Sequence, residues 1–265
     1  TTTPWTLPSN TALTISKKIN YVVIDTFNLY TEKPIRVLLA KDLINKVFDN
    51  KFVEINSSKD LLFKSTKKKI PFLIINQVKG DRLIDVRYEK IWEDAPLPND
   101  NHENAYRVIS GDFVTTDEGT GIVHTAPTFG SDDALAASQA NPPVPPLLTK
   151  DKNGELVPLV DLQGKFIDTL KIIGGKYVKN EYYNEDQKPE KSVDVEICIH
   201  LKEKNRAFKV EKYIHSYPNC WRTDKPILYY PLDSWFIGVS KIRNKLVSLN
   251  KEINWVPKST GEKRF

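Results

Sequence analysis

Apolar residues gather in short dense runs along the first half of the chain. Tyr21 to Thr26 (YVVIDT), Ile35 to Ala40 (IRVLLA), Phe72 to Val78 (FLIINQV) and Tyr106 to Val114 (YRVISGDFV) are rich in branched and aromatic residues, and each predicts a strand. Between two of these runs the period changes. From Ala40 to Asn50, Leu43, Ile44, Val47 and Phe48 recur at i, i+1, i+4 and i+5, which makes one apolar stripe on a short helix. Ser131 to Pro146 opens with a serine placed to cap a helix, follows it with two acids, continues through alanines and stops at prolines, so a short helix with marked ends is expected. A second amphipathic helix is predicted from about Val239 to Leu249, after an aromatic-rich stretch (Tyr217 to Ile237) that reads as a pair of strands. Trp92 to Asn104 carries prolines and turn formers and predicts an exposed loop, and Lys179 to Ser192 predicts a polar surface excursion. The basic run Lys64 to Lys69 predicts a solvated turn. Strands and helices mixed in this way indicate an α+β domain.

Composition narrows the class. With 265 residues, 40% of them hydrophobic, the chain can bury a substantial core. No apolar run approaches the roughly 18 residues of a membrane span, and no charged leader precedes an apolar centre, so a cytoplasmic protein with no membrane partner is expected. Cys198 and Cys220 are then expected as reduced thiols. A net charge of +5 is compatible with a nucleic-acid partner and too small to demonstrate one. Met is absent and the chain starts inside a motif-like stretch, which predicts a piece of a longer polypeptide.

Candidate chemistry concentrates in Asp117 to Ser138 (DEGTGIVHTAPTFGSDDALAAS). Gly119 and Gly121 permit close approach of backbone or ligand, and a strand through His124 turns at Pro127 to Gly130 into a helix start bearing Asp132 and Asp133. A histidine so placed is often just a hydrogen-bonded structural residue, and acids in a first helical turn often only complement the dipole. There is no GxSxG elbow, Walker loop, HExxH or CxxC pair, so nothing supports a serine hydrolase, an NTPase or a structural zinc module. What is left is a pocket of hydroxyls, one imidazole and one carboxylate.

TTTPWTLPSN at Thr1 to Asn10, combined with GTGIVHTAPTFGSDD at Gly119 to Asp133, resembles the two signature stretches of the editing (CP1) domain inserted in isoleucyl-tRNA synthetases, a class I aminoacyl-tRNA synthetase family. Tyr217 to Ile237 resembles the segment by which that insertion returns towards the catalytic domain. Related valyl and leucyl domains carry arginine at the third threonine position and lysine or methionine in place of His124, so Thr3, Trp5 and His124 favour the isoleucyl member. The resemblance implies a β-barrel editing core with peripheral helices over residues 1–265, and a return segment from about 206 to 265 that leads to a Rossmann catalytic domain elsewhere. It also implies a function, post-transfer hydrolysis of valyl-tRNA(Ile). One methylene separates isoleucine from valine, worth about 1–3 kcal/mol in a pocket, and isoleucyl-tRNA synthetases are themselves the standard illustration of that limit; a second, smaller site supplies the missing discrimination.

By the same resemblance, Asp133 would pair with the α-ammonium of the misattached amino acid, and Asp132, one residue off the family spacing, would cap the helix. His124 would form the wall that measures side-chain size. Thr1, Thr2 and Thr3 would hydrogen-bond the ester, the terminal adenosine or the attacking water, Trp5 would wall or stack on the adenosine pocket, and Asn10 and Gly121 complete the candidate site. The lesser alternative for the threonine run is a capped turn packed by Trp5. The partners implied are the 3′ end of tRNA(Ile) carrying valine and the rest of the synthetase, with ATP and Mg²⁺ needed only there. No cofactor is expected in this segment and, since Thr223 stands where some relatives have the second cysteine of a CWRC pair, no metal either. Two other readings stay open here, a module that binds the tRNA end without turnover and an editing domain of valyl or leucyl parentage.

Overall fold

The computed structural model describes residues 1–61, 69–214 and 216–263. The basic run Lys64 to Lys69 lies outside them except for its last residue. Strands β1 (Ala12–Ile15), β2 (Asn20–Phe27) and β3 (Pro34–Ala40) are followed by a short helix α1 (Ile44–Val47) and strands β4 (Phe52–Glu54), β5 (Ile70–Lys79), β6 (Arg107–Ser110) and β7 (Ile122–Thr125). Then come α2 (Ser131–Gln139), the small hairpin β8 (Thr149–Lys150) and β9 (Leu156–Val157), α3 (Val193–Glu203), α4 (Val239–Glu252) and α5 (Ser259–Lys263). The chain divides into two compact units, Thr1–Tyr230 and Pro231–Phe265. No helix among the described residues is long and apolar enough to cross a membrane.

In the first unit β1 is the central strand of a three-stranded sheet, parallel to β6 and antiparallel to β7. A second sheet has the order β3-β2-β5-β4, with a bulge where β2 passes Val23 and Ile24 opposite β5. An apolar core joins the two: Tyr21, Val22, Ile24, Leu39 and Leu43 from the second sheet and its helix are fully buried together with Ile15 and Val108 from the first. A separate core around Trp5, Trp92, Phe129, Phe166, Ile197 and Leu201 gathers α3 and the long connections. Among the described residues the sheets stay open, with β7 at the end of the first and β3 and β4 at the ends of the second, so the closed barrel that the resemblance implies is not seen; closure needs every strand paired on both edges.

Several local expectations change. The run from Tyr106 to Val114 is a strand only over Arg107–Ser110: Tyr106 before it sits at a φ of +58°, and the chain turns after Gly111. Residues 40–50 give a 3-10 turn and one turn of helix rather than a continuous helix, although Leu43, Val47 and Phe48 are buried as the stripe requires. Residue Ser131 is the first helical residue of α2 and not its cap; Gly130 holds the cap position, where no side chain can bond, and Asp132 makes no cap bond either. The loop 92–104 is anchored by Trp92, which is 1% exposed, because a large ring supplies core that the surrounding polar residues cannot. The aromatic stretch 217–237 forms a single isolated bridge, Asn219 with Pro226, in place of paired strands; its prolines withhold ladder donors.

Candidate active site

Register brings the two informative stretches to one place. Ala12 pairs with Thr125 and Leu13 with His124, and Thr11 N–H donates to the Thr125 carbonyl at 3.1 Å. The chain before β1 and the chain after β7 therefore leave the sheet side by side. Before β1, Pro4–Ser9 forms a 3-10 helix, with proline at its first position where a missing N–H does no harm. Trp5 from this turn packs edge-on against Phe129 of the turn that leads into α2, ring centroids 5.1 Å apart. A third element ties in from far along the chain: the Trp5 backbone N–H donates to Asp194 Oδ1 at 2.8 Å, in the first turn of α3.

These elements enclose a cavity of about 440 Å³ bordered by Thr1, Thr3, Thr6, His124 and Asp133, with Trp5 and Phe129 as its apolar floor and residues 216–218 and 229 at its far side. Asp133 accepts one hydrogen bond, from Ala126 N–H at 2.8 Å. Burial pushes its carboxyl above the ordinary aspartate range, and the Ala126 bond works in the other direction. Gly130 makes room for it: a Cβ there would stand 2.9 Å from Asp133 Cγ.

His124 is held from both ring nitrogens, Nε2 lying 3.0 Å from Thr6 Oγ1 and Nδ1 2.8 Å from the Asn10 amide nitrogen. Burial pushes its pKa down to about 3, so the ring is neutral at physiological pH. Asn10, 4% exposed, does not border the cavity and works from behind the ring. Thr3 N–H donates to Thr1 Oγ1 at 3.0 Å, while Thr2 is exposed and faces away from the cavity lining. Gly121 is set apart from the site. Its φ of +72° and a would-be Cβ only 2.5 Å from Ala40 Cβ let β7 begin beneath β3, and its carbonyl accepts the Tyr21 hydroxyl at 2.8 Å.

Three contributors were not among the residues singled out from the sequence: Thr6, hidden inside the quoted stretch; Tyr88, whose hydroxyl lies 2.6 Å from Asn10 Oδ1; and Asp194. Only Asp194 had a findable context, since Ser192 caps α3 by accepting from Val195 N–H and two acids follow, a helix start that invites notice.

No family model matches the chain. It is similar over its whole length to isoleucine–tRNA ligases: 50% identical over 276 residues in Cytophaga hutchinsonii, 48% over 281 in Bacteroides fragilis strain YCH46 and 44% over 283 in Porphyromonas gingivalis, covering 24% of each relative. The chain thus spans about a quarter of the length of the relatives it matches. A solved structure described as GlLeuRS-CP1 is similar at 12% identity and a TM-score of 0.36, covering 76% of this chain and 66% of that one. With identities of 44–50% sustained from end to end, the chain belongs to the isoleucine–tRNA ligase family, as one segment of such a protein.

Proposed function

We propose that this segment hydrolyses the ester of valyl-tRNA(Ile), the post-transfer editing step, inside a cytoplasmic enzyme whose remaining domains join isoleucine to tRNA(Ile) with ATP and Mg²⁺. One observation carries the reading: a half-buried carboxylate, a neutral imidazole and two threonines of the N-terminal run border a single cavity of about 440 Å³. An aminoacyl ester presents an ammonium, a side chain and a carbonyl within a few ångströms of each other, and the cavity offers a counterpart to each.

Asp133 receives the ammonium, a charge-assisted contact that also relieves a carboxylate left with one backbone donor. His124 stands as the wall against which the side chain is measured. It takes no proton from water, since burial keeps it neutral and both of its nitrogens are engaged. The hydroxyls of Thr1 and Thr3 bond the ester or the attacking water, and Thr2 lends nothing directly. Trp5 is 2% exposed, which suits a floor beneath the adenosine better than an open stacking face. With no general base among these side chains, the water is oriented by the tRNA's own terminal hydroxyl, and no metal enters the reaction.

The test is deacylation of valyl-tRNA(Ile) and isoleucyl-tRNA(Ile) by the chain and by Asp133→Ala. Hydrolysis of the valyl ester alone is expected. The variant should lose about 100-fold in kcat/KM, the scale of an ammonium bereft of its buried partner. Cleavage of neither ester, with a valyl-adenosine analogue still bound, would leave a recognition module without turnover.

A further inference from the structure

A directed series of hydrogen bonds runs from outside the cavity to its edge. The Tyr88 hydroxyl lies 2.6 Å from Asn10 Oδ1, the Asn10 amide nitrogen 2.8 Å from His124 Nδ1, His124 Nε2 3.0 Å from Thr6 Oγ1, and Thr6 Oγ1 2.8 Å from the Thr3 carbonyl. The direction follows from groups that can act in one way only. Asn10 Nδ2 also meets the Ala12 carbonyl at 2.8 Å and the Thr125 carbonyl at 3.3 Å, and a carbonyl only accepts, so the amide turns its NH₂ towards Ala12, Thr125 and His124. Nδ1 of His124 is then an acceptor and its proton sits on Nε2. That proton goes to Thr6, and the Thr6 proton goes to the Thr3 carbonyl. At the outer end Asn10 Oδ1 takes its proton from the Tyr88 hydroxyl.

We propose that Tyr88 is a positioning residue for the cavity: by donating to Asn10 Oδ1 it holds the amide in one pose, and through it keeps His124 in the Nε2–H tautomer with its edge fixed towards the substrate side chain. Tyr88 does not border the cavity. It belongs to the connection between β5 and β6, where its N–H donates to the Tyr106 carbonyl at 3.0 Å and its ring stands edge-on to that of Tyr106, centroids 6.1 Å apart. Asn10 is buried, so an Oδ1 without its donor is an acceptor that water cannot satisfy; the Ala12 and Thr125 carbonyls oppose a full reversal, so the amide shifts within its pose and its hold on Nδ1 slackens. Asn10→Asp imposes the opposite arrangement, in which an oxygen faces Nδ1. The imidazole answers by carrying its proton on Nδ1, which leaves a bare Nε2 against Thr6 and removes the bond that steadies the threonine turn.

The consequence for hydrolysis rests on the editing function proposed above, whereas the tautomer does not. The test is nitrogen NMR on ¹⁵N-histidine-labelled chain at pH 7, for the wild type, Tyr88→Phe and Asn10→Asp, with the His124 signals assigned by His124→Gln, alongside kcat and KM for valyl-tRNA(Ile). The wild type should show His124 with a protonated Nε2 and a bare Nδ1. Asn10→Asp, which can only accept, should reverse the two. Tyr88→Phe should shift the Nδ1 resonance, by weakening the bond it accepts from Asn10, and lower kcat about tenfold with KM little changed, the size of effect expected from one orphaned buried acceptor. If Tyr88→Phe does not fold, 3-fluorotyrosine incorporated at position 88 alone keeps ring and hydroxyl while strengthening the donor, and a shifted Nδ1 resonance is expected. A wild-type ring protonated on Nδ1, or an Nδ1 resonance unmoved by either change at Tyr88, overturns the proposal. A wild type that leaves valyl-tRNA intact would remove the editing reading, and the nitrogen spectra would still decide the role of Tyr88.

Discussion

Asp133 and His124 are both kept from water, and burial moves their titrations in opposite directions. For Asp133 the folded pKa lies above the unfolded value of 3.8, so the folded state holds its proton more tightly, and stability falls as pH rises out of that range. Asp133→Asn, which can still accept from Ala126 N–H, is therefore expected to raise Tm at pH 7, with the gain vanishing below pH 3.8, while deacylation is lost. Equal Tm values at both pH extremes would show that burial imposes no penalty on the charge. His124 behaves conversely. With a folded pKa of about 3 against 6.5 in the unfolded chain, stability is complete above pH 6.5 and is lost as acid is added, because the unfolded chain takes up the proton first; the slope approaches 1.4 kcal/mol per pH unit at most. For activity this means a pH–rate profile with no inflection near 6.5, read from deacylation between pH 5 and 8. An inflection there that disappears in His124→Gln would assign the imbalance to an ionising His124.

At the scale of elements, two glycines of the same signature do different work. Gly130, at the start of α2, leaves the space that Asp133 occupies. Gly130→Ala should displace the carboxylate, reducing deacylation about tenfold or more while Tm moves little, since the alanine itself meets no backbone conformation it cannot adopt. Gly121 sits at φ +72° against Ala40. Gly121→Ala should cost roughly 2–3 kcal/mol, from the left-handed backbone and the crowding together, and in folded protein the kinetic constants should stay near wild type. Paired thermal melts and kinetics separate the two glycines. Both were visible as members of one motif, yet only neighbours from other elements, Asp133 in one case and Ala40 in the other, tell which serves the cavity.

For the molecule as a whole, the cavity and both larger cores lie within Thr1–Tyr230. In the second unit α4 buries none of its residues, and helices of such length are marginal in water without a packed face. A chain ending at Tyr230 should therefore melt cooperatively within a few degrees of the full chain and keep its deacylation, whereas a peptide covering 231–265 should show little helix by circular dichroism. A truncated chain with no cooperative transition would mean that the first unit needs the second.

The sequence alone determined what depends on neighbouring residues. Strands β2, β3, β5 and β7 follow from short branched runs, α2 from its acids, alanines and prolines, and the candidacy of Asp133, His124 and the threonines from two stretches that resemble a known family. Tertiary structure decided what depends on residues far apart in the chain. The pairing of Leu13 with His124 brings both stretches to one cavity, and the carboxylate of Asp194 reaches Trp5 across 189 positions. Tyr88, 78 positions from Asn10, orders a histidine it never touches. Hydrogen-bond direction belongs with these tertiary facts: the proton of His124 is placed by the carbonyl of Ala12 and the hydroxyl of Tyr88, and neither leaves a pattern along the chain, because a donor needs only to be near its acceptor in space.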